Sequence, residues 1–348
     1  MVKDIQSGQT IKTIAIFGAG GFIGSHIVKG ILKDIPSFRT ICVDLTNKKL
    51  NRIVGDKGYE FIHCDIREEQ SKVETIIETV DVVIDLVAYA NPHIYLQRPI
   101  DVVKLNLFDN LKIVDLCIKY NKYLVQFSTC EVYGKMGKND RIFNEDDSDL
   151  ILGPIRNHRW VYSSAKQLLE RMVHAMGWEE HLDYTIIRPF NFIGPEMDFL
   201  VKEKPESHPR VFPHFMSALL HEKPLFLVDG GLNMRTFTYI DDAVSGILAI
   251  LRNPEATNRE IYNIGTPGNE TTIKDFAILM KRSYENLSGK KSKSKIISIG
   301  SEEFYGKGYE DCDRRIPDVA KLSALGWSPK YDLPETVQRS IQYYVNMM

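Results

Sequence analysis

Two kinds of hydrophobic pattern alternate along the first half of the chain. Short apolar runs stand at 13–17, 40–44, 59–67, 81–88 and 123–128, and again at 184–188. Between them, apolar residues recur every three or four positions, as up to Leu32, over 102–119 and at Leu168, Leu169 and Met172. The first pattern predicts buried strands and the second predicts helices with one apolar side. Over 102–119 that side is expected to carry Val103, Leu107, Leu111 and Val114. Repeated strand–helix units with short connections predict an α/β fold with a doubly wound parallel sheet. Beyond 188 the pattern loosens. Turn residues fill 189–195, and a charged, proline-containing loop is expected over 197–210. A helix at 211–221, a strand with a turn at 225–231 and a helix near 272–287 come next, and the lysine run at 289–295 reads as a solvated loop.

Composition narrows the class without identifying it. The 348 residues suffice for one large or two ordinary domains. Forty-four basic residues nearly balance 46 acidic ones, so neither nucleic acid nor a membrane surface is an expected partner. Cys42, Cys64, Cys117, Cys130 and Cys312 have no paired spacing, and the histidines form no ligand motif. No disulfide framework and no metal site are therefore expected. The first residues lack an apolar signal region, and the longest apolar run, 80–90, is interrupted by Asp81 and Asp85. A soluble, cytoplasmic protein is expected.

The candidate chemistry sits at the predicted strand ends. Directly after 13–17 come Gly18, Gly21 and Gly24, with Phe22 and Ile23 among them, and then a helix. Strand, glycine turn and helix form the context in which a backbone can approach a dinucleotide pyrophosphate at a helix N-terminus. The spacing is Gly-x-x-Gly-x-x-Gly rather than Gly-x-Gly-x-x-Gly. Asp44 closes the next strand, where a carboxylate accepts both adenosine ribose hydroxyls and repels a 2′-phosphate. NAD is therefore expected rather than NADP. Asp65 and Ile66 stand where an adenine could be held. At the end of 123–128 come Ser128, Thr129, Cys130 and Glu131. Tyr162 and Lys166 are four apart and share a helix face, so the ammonium is expected to lower the phenol and make Tyr162 a general base. Asn191, Arg235 and Arg315 are placed in turns, either facing solvent or lining a second ligand.

Together the glycine turn, Asp44, the Ser128-Thr129 strand end and Tyr162/Lys166 resemble the extended short-chain dehydrogenase/reductase family, which binds NAD and acts on nucleotide sugars. The segments 128–134, Arg159-Trp160-x-Tyr162, 188–195 and 305–317 resemble its UDP-glucuronate decarboxylase branch. The resemblance runs from about Ile14 to the C-terminus. It implies a Rossmann-type domain over 11–190, to which some later segments return, and a mainly nucleotide-sugar-binding region over 191–348. Leu86 and Ala88 join the cofactor set with Gly18, Gly21, Phe22, Ile23, Gly24, Asp44, Asp65, Ile66, Tyr162 and Lys166. Thr129, Cys130, Glu131, Tyr162, Lys166 and Arg315 would be catalytic. Tyr95, Asn191, Arg210, Arg235, Tyr309 and Arg315 would face a UDP-sugar. The implied reaction is NAD-dependent oxidation at C4 of UDP-glucuronate with loss of CO2, by a homodimer. In that branch a cysteine at the place of Ala90 accompanies ring contraction, so its absence argues against apiose formation. A dehydratase or 4-epimerase would share the hydride step, but dehydratases usually carry an acid at the place of Cys130. A non-catalytic NAD-sensing regulator would tend to lose the Tyr/Lys pair.

Overall fold

The computed structural model describes residues 2–3, 10–137, 142–198 and 210–347, so most of the charged loop expected at 197–210 lies outside the described residues. Seven parallel strands form the main sheet, in the order Glu260–Ile264, Tyr184–Pro189, Tyr123–Phe127, Val82–Asp85, Thr13–Phe17, Arg39–Asp44, Tyr59–His63. Its apolar runs are continuous because both faces are covered. Ile14 and Ile16 pack on the side of helices Phe22–Asp34 and Ile240–Arg252, whereas Ala15 and Phe17 pack under Gln70–Thr79, Asn110–Lys119 and Val161–Glu179. The chain runs outward from Thr13–Phe17 to Tyr59–His63 and then returns to Val82–Asp85 on the other side. That reversal opens a crevice at the carboxyl ends of the strands.

Several strands of the main sheet end in a common way. An Asp or Thr at or just past the strand end turns back onto the N–H two residues on, which ends the extended path. Asp44 accepts from Thr46 N at 3.2 Å, Asp65 from Arg67 N at 3.0 Å, Asp85 from Val87 N at 3.0 Å, and Thr129 Oγ1 from Glu131 N at 3.1 Å. The run expected at 59–67 therefore ends as strand at His63, and the run at 81–88 at Asp85.

The helix expected over 102–119 is not a uniform one. It is a short helix Pro99–Val103, a π-helical stretch Lys104–Asp109 and then Asn110–Lys119. Wider turns shift the phase of the helix beyond them. The buried face carries Val102, Asn106, Leu107, Asn110, Ile113 and Val114, while Val103 and Leu111 are only part-buried. Outside the main sheet, Met234–Thr236 pairs with Glu270–Thr272 on one side and with Arg314–Arg315 on the other. Arg235 and Arg315 thus lie opposite each other in a sheet rather than in turns, and both are buried. Elements missed in sequence include the helices Gln70–Thr79 and Ile240–Arg252, the strand Ile296–Ile299 beside Leu225–Val228 and the helix Leu333–Asn346.

The helix Val161–Glu179 is pinned to the sheet by a buried ion pair. Arg188 Nε and Nη2 donate to Glu170 at 3.1 and 2.6 Å, and Arg188 Nη1 donates to Tyr133 Oη at 2.8 Å. Removing one partner of such a pair strands the other charge. Arg188→Met is expected to destabilise the protein by ~3–5 kcal/mol. The double variant with Glu170→Met should regain much of that loss, as read by urea denaturation.

Candidate functional site

The crevice holds a cradle at one end and a cavity lined by charged side chains at the other. In the cradle Gly18 has φ +85°, and a Cβ at Gly24 would lie 2.3 Å from the Gly18 carbonyl oxygen. Only glycines allow this turn to close onto the first turn of the 13-residue helix Phe22–Asp34. Gly20 N donates to Asp44 Oδ2 at 2.9 Å, which sets the carboxylate against the turn. Burial holds the Asp44 carboxyl above its ordinary value, and the N–H groups of Thr46 and Gly20 offset this in part. Leu86 N bonds Phe17 O at 2.9 Å and carries the next strand end alongside. A tight backbone cradle, a free helix N-terminus and an adjacent carboxylate fit an adenosine diphosphate unit. Asp65 is paired with Arg67 at 2.6 Å and stands beside this edge, as does the buried Ile66.

The cavity has a volume of about 740 Å³. Its walls include Ile23, Leu86, Ala88, Tyr95, Thr129, Cys130, Glu131, Tyr162, Lys166, Asn191, Arg210, Arg235, Tyr309 and Arg315. Gly18, Gly21, Phe22, Gly24, Asp44, Asp65 and Ile66 are not in those walls and belong to the cradle side. Tyr162 is buried, stacks on Tyr95 with ring centroids 4.7 Å apart, and lies beside the Thr129 hydroxyl. Lys166 Nζ donates to Phe127 O at 3.0 Å and to Asn110 Oδ1 at 3.2 Å. The expected lowering of the Tyr162 phenol does not hold in this arrangement. Burial and then the Glu131 charge push it well above its ordinary value, and two of the Lys166 donors are taken by Asn110 and Phe127. Burial also draws Lys166 down to about 8, with Asp85 opposing.

Glu131 forms a two-pronged pair with Arg159, at 2.6 and 2.9 Å, and lies 3.8 Å from Arg315. Burial opposes its ionisation, but Arg159 and Arg315 prevail and hold it below the usual carboxylate range. A carboxylate so held is an anchor and a weak base. Arg159 also lies over the Tyr95 ring, 5.3 Å from its centre. Arg235 pairs with Asp311 at 2.7 Å, and Arg315 lies 3.8 Å from the same carboxylate. Burial again opposes, yet Arg235, Arg315 and Arg159 bring Asp311 down to about 2. Arg315 Nε and Nη2 are buried without a hydrogen-bond partner. Cys130 is buried beside these groups, and burial raises its thiol against the pull of Arg315. Arg210 pairs with Asp198, and Asn191 Nδ2 donates to Thr236 O at 3.0 Å. Tyr309 stacks on Tyr305 at 4.0 Å, and Glu310 ties this segment to Trp160 Nε1 at 2.7 Å and Asn157 Nδ2 at 2.9 Å.

Arg159 and Asp311 were missed as site residues. Each carried a signal, since Arg159 stands one turn before Tyr162 and Asp311 four residues before Arg315. Asp311 yields a pH prediction. Its native value of about 2 lies below its ordinary 3.8, so its stabilisation is complete above the latter and is lost as pH falls through the former. The stability gap between wild type and Asp311→Asn should be constant above pH ~4 and shrink toward pH ~2, as read by urea denaturation across pH.

The cradle and cavity can be set beside known proteins. The sequence matches the NAD dependent epimerase/dehydratase family over residues 14–265. It is 40% identical to UDP-D-apiose/UDP-D-xylose synthase 1 of Arabidopsis thaliana, covering 95% of this chain and 90% of that protein. It is 37% identical to the bifunctional polymyxin resistance protein ArnA of Wigglesworthia glossinidia brevipalpis, covering 99% of this chain and 53% of that longer protein. Among solved structures, the PbgP3 protein from Burkholderia pseudomallei superposes with a TM-score of 0.85 at 32% identity, with 97% of each chain covered. The chain therefore belongs to the NAD dependent epimerase/dehydratase family.

Proposed function

We propose that the protein oxidises UDP-glucuronate at C4 and releases its carboxyl group as CO2, leaving UDP-4-keto-pentose or UDP-xylose. The observation that carries this reading is the cluster of arginines in the cavity wall. Three buried guanidinium groups, Arg159, Arg235 and Arg315, face two carboxylates, Glu131 and Asp311. Nε and Nη2 of Arg315 lack a hydrogen-bond partner, and a substrate carboxylate would suit that guanidinium fork. The names of the plant and bacterial relatives support the same substrate class.

NAD is the cofactor of this family, and the glycine cradle with Asp44 fits it. When bound, it accepts a hydride from a carbinol carbon and can give it back to a ketone. In the reading proposed, Tyr162 takes the C4 hydroxyl proton with Thr129 steering the hydroxyl, and Lys166 holds the nicotinamide ribose. The raised phenol of this cavity means that positive charge must be added nearby for Tyr162 to act as a base. The ketone at C4 is β to the sugar carboxylate. The C5–C6 bond then breaks, its electron pair enters an enolate over C4 and C5, and CO2 departs. Arg315 holds the carboxylate region and stands where a proton returns to C5, while Glu131 anchors the sugar ring. Cys130 is a neutral thiol at this site. Asn191 and Arg210 would serve the nucleotide side.

Two exposed apolar side chains support a homodimer. Phe108 is 56% exposed and Leu168 47% exposed, on the helical stretches Lys104–Asp109 and Val161–Glu179 that pack side by side. A two-fold axis through this face would bury both. Among the described residues no helix is long and apolar enough to cross a membrane. All five cysteines are free, which supports a reducing, cytoplasmic setting.

Incubation with NAD and UDP-glucuronate is expected to release CO2, with UDP-glucose and UDP-N-acetylglucosamine inert. Activity on the neutral sugars alone would replace this reading with a dehydratase or 4-epimerase. Tyr162→Phe should lose ~10²–10⁴-fold in turnover while NAD still binds. Arg315→Ala should lose roughly 10- to 100-fold in kcat/KM for the glucuronate. Phe108→Asp with Leu168→Asp is expected to sediment as a monomer where the wild type is a dimer.

A further inference from the structure

Beneath Tyr162 lies a closed ring of hydrogen bonds that the proposed reaction does not use. Lys166 Nζ donates to Asn110 Oδ1 at 3.2 Å, and Asn110 Nδ2 donates to Val87 O at 3.2 Å. Val87 N donates to Asp85 Oδ1 at 3.0 Å, while Gln126 Nε2 donates to Asp85 Oδ2 at 3.0 Å. Gln126 adjoins Phe127, whose carbonyl accepts the second Lys166 bond at 3.0 Å. Asp85, Asn110 and Gln126 are fully buried, and Lys166 is 1% exposed. Both direct acceptors of Lys166 are neutral, so its buried charge needs an anion elsewhere.

Two carboxylates face Lys166, Asp85 from the sheet and Glu170 from its own helix, with Tyr162 one turn before it. Glu170 is already held at two points by Arg188. Cys117 and Lys166 are the titratable groups that face Asp85, and Cys117 is held neutral by burial. Asp85 is thus the carboxylate left without a cation of its own. We propose that Asp85 is the counter-charge of Lys166, a positioning residue that keeps the ammonium charged and its hydrogen-bond ring closed beneath Tyr162. Burial draws Lys166 down while Asp85 and then Glu170 oppose it, leaving it at about 8, so loss of the Asp85 charge would lower it further, toward the neutral amine near physiological pH.

The inference rests on the role given to Lys166 above, and it is tested without cofactor or substrate so that the two stand or fall separately. In protein labelled with ¹³C at the lysine Cε, the Lys166 resonance is the one lost in Lys166→Met. Its titration midpoint should move down by about one pH unit or more in Asp85→Asn, and an unchanged midpoint would overturn the proposal. Should Asp85→Asn fail to fold, the Asp85 carboxyl is followed by ¹³C in Lys166→Met, where its midpoint should rise; no rise refutes the pairing. The urea midpoint adds a second check. The double variant Asp85→Asn/Lys166→Met should unfold at higher urea than either single variant, whereas additive losses would mark two independent structural residues.

Discussion

Charge enclosed in the cavity is the constraint on which the rest of the structure depends. Glu131 and Asp311 stay ionised away from bulk water only because guanidinium groups stand against them. Those arginines come from three remote places, the start of a long helix, a short strand near residue 235 and a strand near the C-terminus. The last part of the chain must therefore cross back over the sheet ends. Glu310 fastens that crossing to the segment carrying Arg159 and Trp160. The shape of the cavity and its charge balance are two aspects of one arrangement.

The helix Val161–Glu179 shows how the fold divides this labour. Tyr162, Lys166 and Glu170 succeed each other at four-residue intervals along one face. Each meets a different element: Tyr95 for the phenol, Asn110 and a strand-end carbonyl for the ammonium, Arg188 for the carboxylate. The π-helical stretch before Asn110 is part of the same design, because the phase shift it introduces brings Asn110 to the buried side facing Lys166.

Much of the sheet was legible because strands buried on both faces leave unbroken apolar runs, and the glycine turn with Asp44 marked its cofactor edge. The strand ends were less legible, since an Asp that folds back on the next N–H but one looks like any polar residue within the run. Arg235 and Arg315 were assigned to turns because strands of two or three residues carry no alternation to read. The phenol's direction was misjudged for another reason. Helical spacing places a lysine beside a tyrosine, but only the surroundings decide where the lysine's donors go. In the helix Leu333–Asn346, buried Val337, Ile341 and Tyr344 did carry the four- and three-residue rhythm, with Asp332 as its cap. Strand Ile296–Ile299, half-exposed and partly polar, left almost no signature.

The two-residue strand Arg314–Arg315 has a consequence for how such a site can diversify. Its neighbours alternate sides: Arg314 turns outward to Glu270 at 2.6 Å, while Arg315 turns into the cavity. Under the function proposed above, acid recognition would thereby be written in chain length as much as in residue identity. One residue inserted or deleted between Tyr309 and Arg314 would bring Arg314 or Ile316 to the inward place. The sheet, the cradle and Tyr162 would be left as they are, and the cavity would meet a different class of sugar.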